Sequence, residues 1–196
     1  AQADDRFADT HRMRAVPPTE SPEFARRNMK FPSSNPLVSG TFVELLRSRA
    51  EQHGARTACT FLTDGDSAAI SYSYADLDQR ARRVAGWLQA HGATGQPVLL
   101  VYPQGLDFVA AFFGCLYAGA IAVPAYPPRR NRRAGRICCM VSDANVALAL
   151  STGELLAQMA ETIQDDPTLA RPRWQPTEEL DDAWASTWQV PQLSAD

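Results

Sequence analysis

The sequence predicts an α/β domain whose mixed, largely parallel sheet is flanked by helices. The main evidence is the alternation of short apolar runs with helical patterns between residues 97 and 165. The runs PVLLVY (97–102) and VALALS (146–151) have strand length and almost no polar residue, as is typical of parallel strands buried on both faces. With 196 residues and a hydrophobic fraction of 45%, the chain can form such a core without disulfides or metals.

Composition divides the chain into three parts. Residues 1–40 carry five prolines and scattered charges, which predicts an extended arm or linker. Residues 41–165 contain the periodic segments and are assigned to the α/β subdomain. Residues 166–196 show no sustained periodicity, and we expect an irregular segment in which Trp184 and Trp188 pack one helical turn apart on a surface.

The first predicted element is a helix that begins at Thr41. Thr41 and Glu44 have the spacing of a capping box, in which each side chain binds a free backbone N–H of the first turn. Phe42, Leu45, Leu46 and Ala50 recur at helical spacing, so we expect them to form one apolar stripe that faces the core.

A β-hairpin and a long helix are predicted next. The strand-like runs TACTFLT (57–63) and AAISY (68–72) flank an Asp-Gly turn, which is a strong hairpin signal. Ser73 and Asp76 then repeat the capping-box spacing at the start of an amphipathic segment. We expect that helix to continue to the glycine at position 92.

The run 108–128 carries no charged side chain, so a membrane span has to be weighed against a buried soluble helix. A bilayer helix needs about 20 apolar residues, but Gly119 and Pro124 interrupt this run. We therefore predict a helix over 105–117, apolar all round because it is sandwiched, and a strand over 120–123. Two more helices are predicted, over residues 132–144, with Ile137, Met140 and Val141 inward, and over residues 153–164.

Charge and cysteine usage restrict the functional classes. A formal net charge of −3 gives no reason to expect nucleic acid or an anionic membrane surface as a partner. The spacing of the four cysteines fits neither a zinc site nor a disulfide framework and indicates a reducing cytoplasm. They are Cys59, Cys115, Cys138 and Cys139. The first residues are polar, so we expect no signal peptide within this chain.

Catalytic motifs are missing from the sequence. A phosphate-binding loop of the G-x-x-x-x-G-K-[ST] type cannot be built, because Lys30 is the only lysine. His53 and His91 each precede a glycine that ends a helix, where a histidine more often favours the helix terminus than takes part in chemistry. Four acidic pairs lie in polar contexts and are interpreted as solvated surface. They are Asp4–Asp5, Asp165–Asp166, Glu178–Glu179 and Asp181–Asp182. We predict no catalytic residue and no metal ligand in this chain.

An arginine cluster occupies PPRRNRRAGR, residues 127–136. Guanidinium groups bind phosphates bidentately, and a following helix N-terminus adds to that attraction. A solvated loop that keeps a sheet edge soluble explains the same residues, so both interpretations stay open. Nucleic acid is disfavoured, because no aromatic residue lies among the arginines.

Several segments resemble the adenylate-forming (acyl-activating) enzymes, and among them the fatty acyl-AMP ligases. SYSYADLDQRARRVAGWLQ is similar to the first signature of these enzymes, and CLYAGAIAVPAYPPRR to the second. TFVELLRSRAEQHGARTACTFLTDGD and DDAWASTWQVPQLSAD resemble the fatty acyl-AMP ligases at the start and at the end. The resemblance covers about residues 41–196 and implies the first N-terminal subdomain of an acyl-activating enzyme.

The resemblance also implies an activity for the whole protein. Such ligases join a fatty acid to ATP, with Mg²⁺, to form an acyl-adenylate, and pass the acyl group to the phosphopantetheine thiol of an acyl carrier protein. The family's phosphate loop and its lysine would follow PQLSAD, where the chain stops. We therefore expect an N-terminal fragment that is inactive alone and binds neither ATP nor Mg²⁺ by itself.

One segment is implied to lie near the thiol acceptor. In related CoA ligases the part matching AYPPRRNRRAGR lies beside the route of the thiol cofactor. A thiol-channel or carrier-facing role is therefore implied for Pro127, Pro128, Arg129, Arg130, Arg132 and Arg133. Two alternatives remain, a non-catalytic interaction module that retains the subdomain and a fragment of a fatty acyl-CoA synthetase. A truncated subdomain is also expected to expose apolar surface and to self-associate.

Overall fold

The structure, a computed structural model, describes residues 40–63, 65, 69–128 and 134–191. The predicted arm over residues 1–40 lies outside this part except for Gly40. The described residues form a two-stranded hairpin and a separate four-stranded sheet with helices on both faces. The predicted α/β class is confirmed, and the larger sheet is wholly parallel.

The elements follow each other in the order that the periodicity predicts up to residue 165. The helices are α1 (Phe42–His53), α2 (Tyr74–Ala90), α3 (Leu106–Ala118), α4 (Gly135–Asp143), α5 (Gly153–Asp165), α6 (Pro167–Ala170) and α7 (Trp184–Thr187). The strands are β1 (Thr57–Leu62), β2 (Ala69–Ser73), β3 (Pro97–Val101), β4 (Ile121–Ala125), β5 (Leu148–Ser151) and β6 (Arg173–Pro176).

Both predicted capping boxes are present. The Thr41 hydroxyl accepts a hydrogen bond of 3.2 Å from the backbone N–H of Glu44, whose carboxylate accepts one of 2.9 Å from the Thr41 N–H. Ser73 and Asp76 exchange the equivalent pair at 3.1 and 3.0 Å. These bonds satisfy backbone donors that a helix start otherwise leaves unpaired, which fixes where α1 and α2 begin.

The buried stripe of α1 differs from the prediction. Val43 and Leu46 are buried, whereas Phe42 is 70% exposed and Leu45 is 42% exposed. Periodicity alone cannot choose between two stripes that are one residue apart, because Val43 and Phe42 are both apolar. Packing of α1 against α2 makes the choice.

The predicted hairpin is confirmed as an antiparallel pair of β1 and β2. Phe61 lies opposite Ile70, and Cys59 lies opposite Tyr72, so these four side chains share one face. At the turn, only residue 65 of the predicted Asp-Gly segment belongs to the described part.

The parallel sheet has the strand order β4-β3-β5-β6. The chain passes from β3 through α3 to β4 on one side, and then crosses through α4 to β5 on the other side of β3. Such a reversal of direction opens a crevice at the carboxyl ends of the two central strands. A ligand site is therefore expected at the carboxyl edge of this sheet, next to β3.

Side chains of β3 alternate between two cores. Val98 and Leu100 face a cluster formed with α1, α2 and α3, while Leu99 and Val101 face a second cluster formed with α4, α5 and α6. All four are fully buried. The sheet is therefore covered on both faces, as the continuous apolar run predicts.

The charge-free run is the sandwiched helix that the sequence predicts. In α3 the only exposed side chain is that of Asp107, and the helix packs mainly on α2. Gly119 ends it with a left-handed backbone (φ 68°). Within the part of the chain that the structure describes, no helix combines the length and the hydrophobicity that crossing a bilayer requires.

The prediction of an irregular segment beyond Asp165 is corrected by the structure. Residues 173–176 form β6, an edge strand paired with β5, and they are preceded by α6 and followed by α7. The sequence RWQP has no apolar alternation, so only its position beside β5 makes it a strand. Trp188 is also not a surface residue, because it is 9% exposed and packs on Tyr117.

The helix predicted over 132–144 is observed from Gly135 onward. Ile137 and Val141 are buried as predicted, but Met140 is only half-buried. Residues 129–133 lie outside the described part, so the start predicted at Arg132 is not tested.

Candidate functional site: an apolar cleft at the carboxyl edge of the sheet

A cleft of about 490 Å³ lies at the carboxyl ends of β3 and β4. This volume is within the range of about 300–1,000 Å³ typical of small-molecule sites. Its lining is mainly apolar and aromatic. The lining residues are Phe61, Tyr102, Pro103, Gln104, Gly105, Phe108, Pro124, Ala125, Tyr126 and Pro127.

Two of the lining prolines lie at the strand ends. Pro103 follows β3 and Pro124 lies in β4, so each strand ends beside a residue without a backbone N–H. The segment from Tyr126 to Pro128 leaves the sheet without regular structure, and Tyr126 is 80% exposed. β3 and β4 stay paired up to Val101 and Ala125, and the cleft lies beyond these strand ends.

Tyr102 makes a buried polar contact beside the cleft. Its ring is 5% exposed and meets Phe108 edge-on at 6.3 Å between centroids. The Tyr102 hydroxyl donates a hydrogen bond of 3.1 Å to the Thr177 hydroxyl. Burial raises the pKa of Tyr102 well above its usual value, so the phenol stays a donor at any physiological pH.

The hairpin contributes Phe61 to the lining of the cleft. It is tied to α3 by Tyr72, whose hydroxyl donates a 3.0 Å hydrogen bond to the Asp107 carboxylate. The Arg80 guanidinium lies over the Tyr72 ring at 4.3 Å from its centroid. Burial, and then the charge of Asp107 and the hydrogen bond to it, raise the pKa of Tyr72 to about 12. The hairpin is therefore anchored next to the cleft by a neutral tyrosine.

Comparison with known proteins decides the family. A family model described as AMP-binding enzyme matches residues 46–194. The chain belongs to the AMP-binding enzyme family. It spans only about a quarter of the length of the relatives described next.

The names of these relatives describe ligases that act on fatty acids. The medium-chain-fatty-acid–[acyl-carrier-protein] ligase JamA of Moorena producens is 36% identical over 80% of this chain and 27% of its own length. The long-chain-fatty-acid–AMP ligase FadD32 of Mycolicibacterium smegmatis is 30% identical over 89% of this chain and 27% of its own. The crystal structure of a fatty acid AMP ligase from Legionella pneumophila superimposes with a TM-score of 0.70 and 31% identity, over 79% of this chain and 26% of that one. The resemblance to fatty acyl-AMP ligases is confirmed by these matches.

The structure describes two of the six residues for which the resemblance implies a role near the thiol acceptor. Pro127 lines the cleft, and Pro128, the next residue, is half-buried. Arg129, Arg130, Arg132 and Arg133 lie outside the described residues. Arg136, the last arginine of the cluster, is exposed in the first turn of α4.

The aromatic residues of the cleft were not singled out by the sequence reasoning. Phe61, Tyr102, Phe108 and Tyr126 belong to four different elements or loops that only the fold brings together. Tyr102 had a usable signal, because it directly follows a buried parallel strand, and ligands bind at the carboxyl ends of such strands.

One histidine, His91, and two residues of the acidic pairs, Glu178 and Asp182, have structural partners. The Nδ1 atom of His91 lies 2.7 Å from the Trp87 carbonyl oxygen, and the two rings stack at 4.1 Å. Glu178 accepts a hydrogen bond from the first N–H of α5, and Asp182 pairs with Arg83 at 2.8 Å. In residues 40–63, 65, 69–128 and 134–191, no three His, Cys, Asp or Glu side chains are grouped to hold a metal ion.

Proposed function

We propose that the whole protein activates a fatty acid with ATP to an acyl-adenylate and transfers the acyl group to an acyl carrier protein. The proposal is supported by the matches to fatty-acid AMP ligases, among them one whose name includes the acyl carrier protein. The 31% identity and the TM-score of 0.70 to the Legionella enzyme carry the most weight, because sequence and fold agree there.

In this proposal the 196-residue chain is the first α/β unit of the ligase and is inactive alone. ATP and Mg²⁺ are proposed cofactors of the whole protein. The described residues offer no grouped carboxylates for Mg²⁺, and no lysine lies among them. In this proposal ATP and Mg²⁺ are held by the rest of the protein.

The cleft gives this unit a second proposed role, which is to control access of the thiol acceptor. Pro127 and Pro128 fix the chain direction at the cleft mouth, since proline restricts its own φ and the conformation of the residue before it. The lining suits the aliphatic part of a pantetheine arm better than the triphosphate of a nucleotide, because none of the described lining residues is charged. Arg129, Arg130, Arg132 and Arg133 follow directly and would attract the phosphate of that arm or an acidic carrier surface.

The activity is tested by ATP–pyrophosphate exchange with medium- and long-chain fatty acids, on this chain and on the full product of the gene. We expect exchange from the full product and none from this chain. Exchange by this chain alone would contradict the assignment of the chemistry to the rest of the protein. No exchange by either would favour a non-catalytic interaction module.

The acceptor role is tested by changing Arg129, Arg130, Arg132 and Arg133 together to alanine in the full product. We expect slower loading of the carrier protein at an unchanged rate of adenylate formation. The matched control is Arg56→Ala, which removes an exposed arginine away from the cleft. Wild-type loading of the carrier by the quadruple variant would refute this role, and efficient transfer to CoA by the unmodified enzyme would favour a fatty acyl-CoA synthetase.

We also propose that the isolated chain self-associates and that the protein acts in the cytoplasm. Several large apolar side chains are strongly exposed, which supports the first point. They include Phe42, Ile70, Ile121, Tyr126 and Val190. The second point rests on cysteine spacing and on four cysteines that are free thiols. Sedimentation of this chain over a range of concentrations would contradict self-association if it remained a monomer.

A further inference from the structure

Thr177 lies just after β6, in contact with the wall of the cleft but not in its lining. Its hydroxyl accepts the 3.1 Å hydrogen bond from Tyr102 and donates one of 3.4 Å to the Ser151 carbonyl oxygen. Thr177 is 6% exposed and Tyr102 is 5% exposed, so both hydroxyls are removed from water. This hydroxyl pair connects the cleft with the segment that follows β6.

The position of Thr177 is fixed by its own backbone. Its N–H donates a 3.0 Å hydrogen bond to the Ser151 carbonyl oxygen, and its carbonyl oxygen accepts one of 3.5 Å from Arg83. The next residue, Glu178, binds the first N–H of α5. Contacts with β5, α2 and α5 therefore hold the Thr177 hydroxyl, which accepts the hydrogen bond from Tyr102, in place.

Removing the Thr177 hydroxyl would leave the Tyr102 phenol buried without an acceptor. A buried, unpaired hydroxyl is unfavourable, so the side chain would turn toward water. The cleft that Tyr102 lines is the open space next to the ring. Movement into it would fill part of the volume that a ligand needs.

We propose that Thr177 is a positioning residue that keeps the cleft open by holding the Tyr102 ring against the end of β3. This inference rests on the proposed role of the cleft and adds a residue that decides whether a narrow, aliphatic thiol acceptor can enter. Thr177 does not touch the acceptor and acts only through Tyr102.

The experiment uses the full product of the gene and four proteins: wild type, Thr177→Val, Thr177→Ser and the double variant Thr177→Val/Tyr102→Phe. Valine has nearly the shape of threonine but lacks the hydroxyl, and serine retains it. The double variant removes the phenol hydroxyl as well, so that no group is left unpaired. Adenylate formation is measured by ATP–pyrophosphate exchange, and acceptor use by KM and kcat with pantetheine as the probe.

We expect Thr177→Val to raise the KM for pantetheine about tenfold, while kcat and pyrophosphate exchange stay near wild type. Thr177→Ser is expected to keep the KM within about twofold of wild type, and the double variant is expected to have a lower KM than Thr177→Val. A wild-type KM in Thr177→Val would overturn the inference. So would a raised KM that the double variant does not lower, since the effect would then not pass through Tyr102.

A crystal structure of the Thr177→Val variant tests the same inference without activity. We expect the Tyr102 hydroxyl to point into the cleft, and an unchanged ring position would refute the positioning role. If the wild-type full product shows no exchange, the proposed function fails, whereas the position of the Tyr102 ring still decides this inference.

Discussion

The indole Nε1–H of Trp188 donates a 2.7 Å hydrogen bond to the backbone carbonyl oxygen of Tyr117. Tyr117 lies in the last turn of α3, where carbonyl groups have no partner within the helix. The two rings pack at 5.1 Å between centroids, and the guanidinium groups of Arg47 and Arg82 lie 5.3 and 4.9 Å from the Trp188 ring centroid. One tryptophan from the segment after α7 thus closes the core over α2 and α3.

Replacing Trp188 by phenylalanine is expected to destabilise the fold by about 1–3 kcal/mol, because the Tyr117 carbonyl loses its donor while part of the ring packing remains. The free energy of unfolding in urea measures the loss. Trp184→Phe is the matched control, since Trp184 is only partly buried, and we expect a smaller loss there. Equal losses in both variants would contradict a special role for the Trp188 hydrogen bond.

Gly114→Ala is expected to force α2 and α3 apart. A Cβ atom at Gly114 would lie 2.4 Å from the Val84 Cγ1 atom, which is far inside van der Waals contact. We expect a loss of about 1–3 kcal/mol, as for other overpacked cores, measured as a lower urea midpoint. Gly135→Ala is the control, because nothing lies within 4 Å of its Cβ position and alanine favours a helix by up to about 1 kcal/mol. A neutral Gly114→Ala would disprove the close approach.

Tyr72 is expected to make stability depend on pH in the alkaline range. Its pKa is about 12 in the folded protein, against about 10 for an unfolded tyrosine. The folded state therefore holds the proton more tightly, and this contribution is complete below pH 10 and lost as the pH rises from about 10 through 12. The measurement is the free energy of unfolding between pH 8 and 11.5 for wild type and Tyr72→Phe.

The difference between these two proteins should be constant up to about pH 10 and then shrink. Tyr126→Phe serves as the control, because Tyr126 is 80% exposed. A difference that stays constant through pH 11.5 would show that the pKa of Tyr72 is not raised in the folded protein.

The four thiols are expected to react at different rates. Cys139 is exposed, whereas Cys115 is fully buried and its pKa is raised to about 12 by burial. Burial, and then the hydrogen bond to Asp166, raise the pKa of Cys138 to about 11. Because the thiolate is the reactive form, iodoacetamide at pH 8 should modify Cys139 first and leave Cys115 intact until the protein unfolds. Mass spectrometry of the peptides identifies the order, and early modification of Cys115 would contradict the packing of α3.

Asp166→Asn extends this test to Cys138. The variant removes the carboxylate that accepts the Cys138 hydrogen bond at 3.2 Å, so the pKa of Cys138 should fall and its alkylation should speed up by several-fold. The rate at Cys139 in the same variant is the internal control. An unchanged rate at Cys138 would show that burial alone protects this thiol.

Most of the local structure was predictable because it depends on neighbours in the chain. The capping pairs Thr41–Glu44 and Ser73–Asp76 fix two helix starts through bonds that span three residues. The hairpin and the two apolar strand runs follow from turn chemistry and from the absence of polar alternation. Gly119 ends α3, because it adopts a left-handed backbone without steric cost.

What the sequence could not decide concerns partners that are distant along the chain. β6 is a strand only because β5 presents an open edge to it, and Val43 rather than Phe42 is buried only because α2 lies on that side. Trp188 reaches the core across 71 residues, and Tyr102 meets Thr177 across 75.

By itself, therefore, the sequence determined the fold class, the element order up to Asp165 and the family, because each follows from local patterns or from extended similarity. Only the tertiary structure shows that the cleft exists and which residues line it. Its walls come from a hairpin, two strand ends and the first turn of a helix. Hydrophobic burial brings these elements together, and it acts between residues regardless of their separation along the chain.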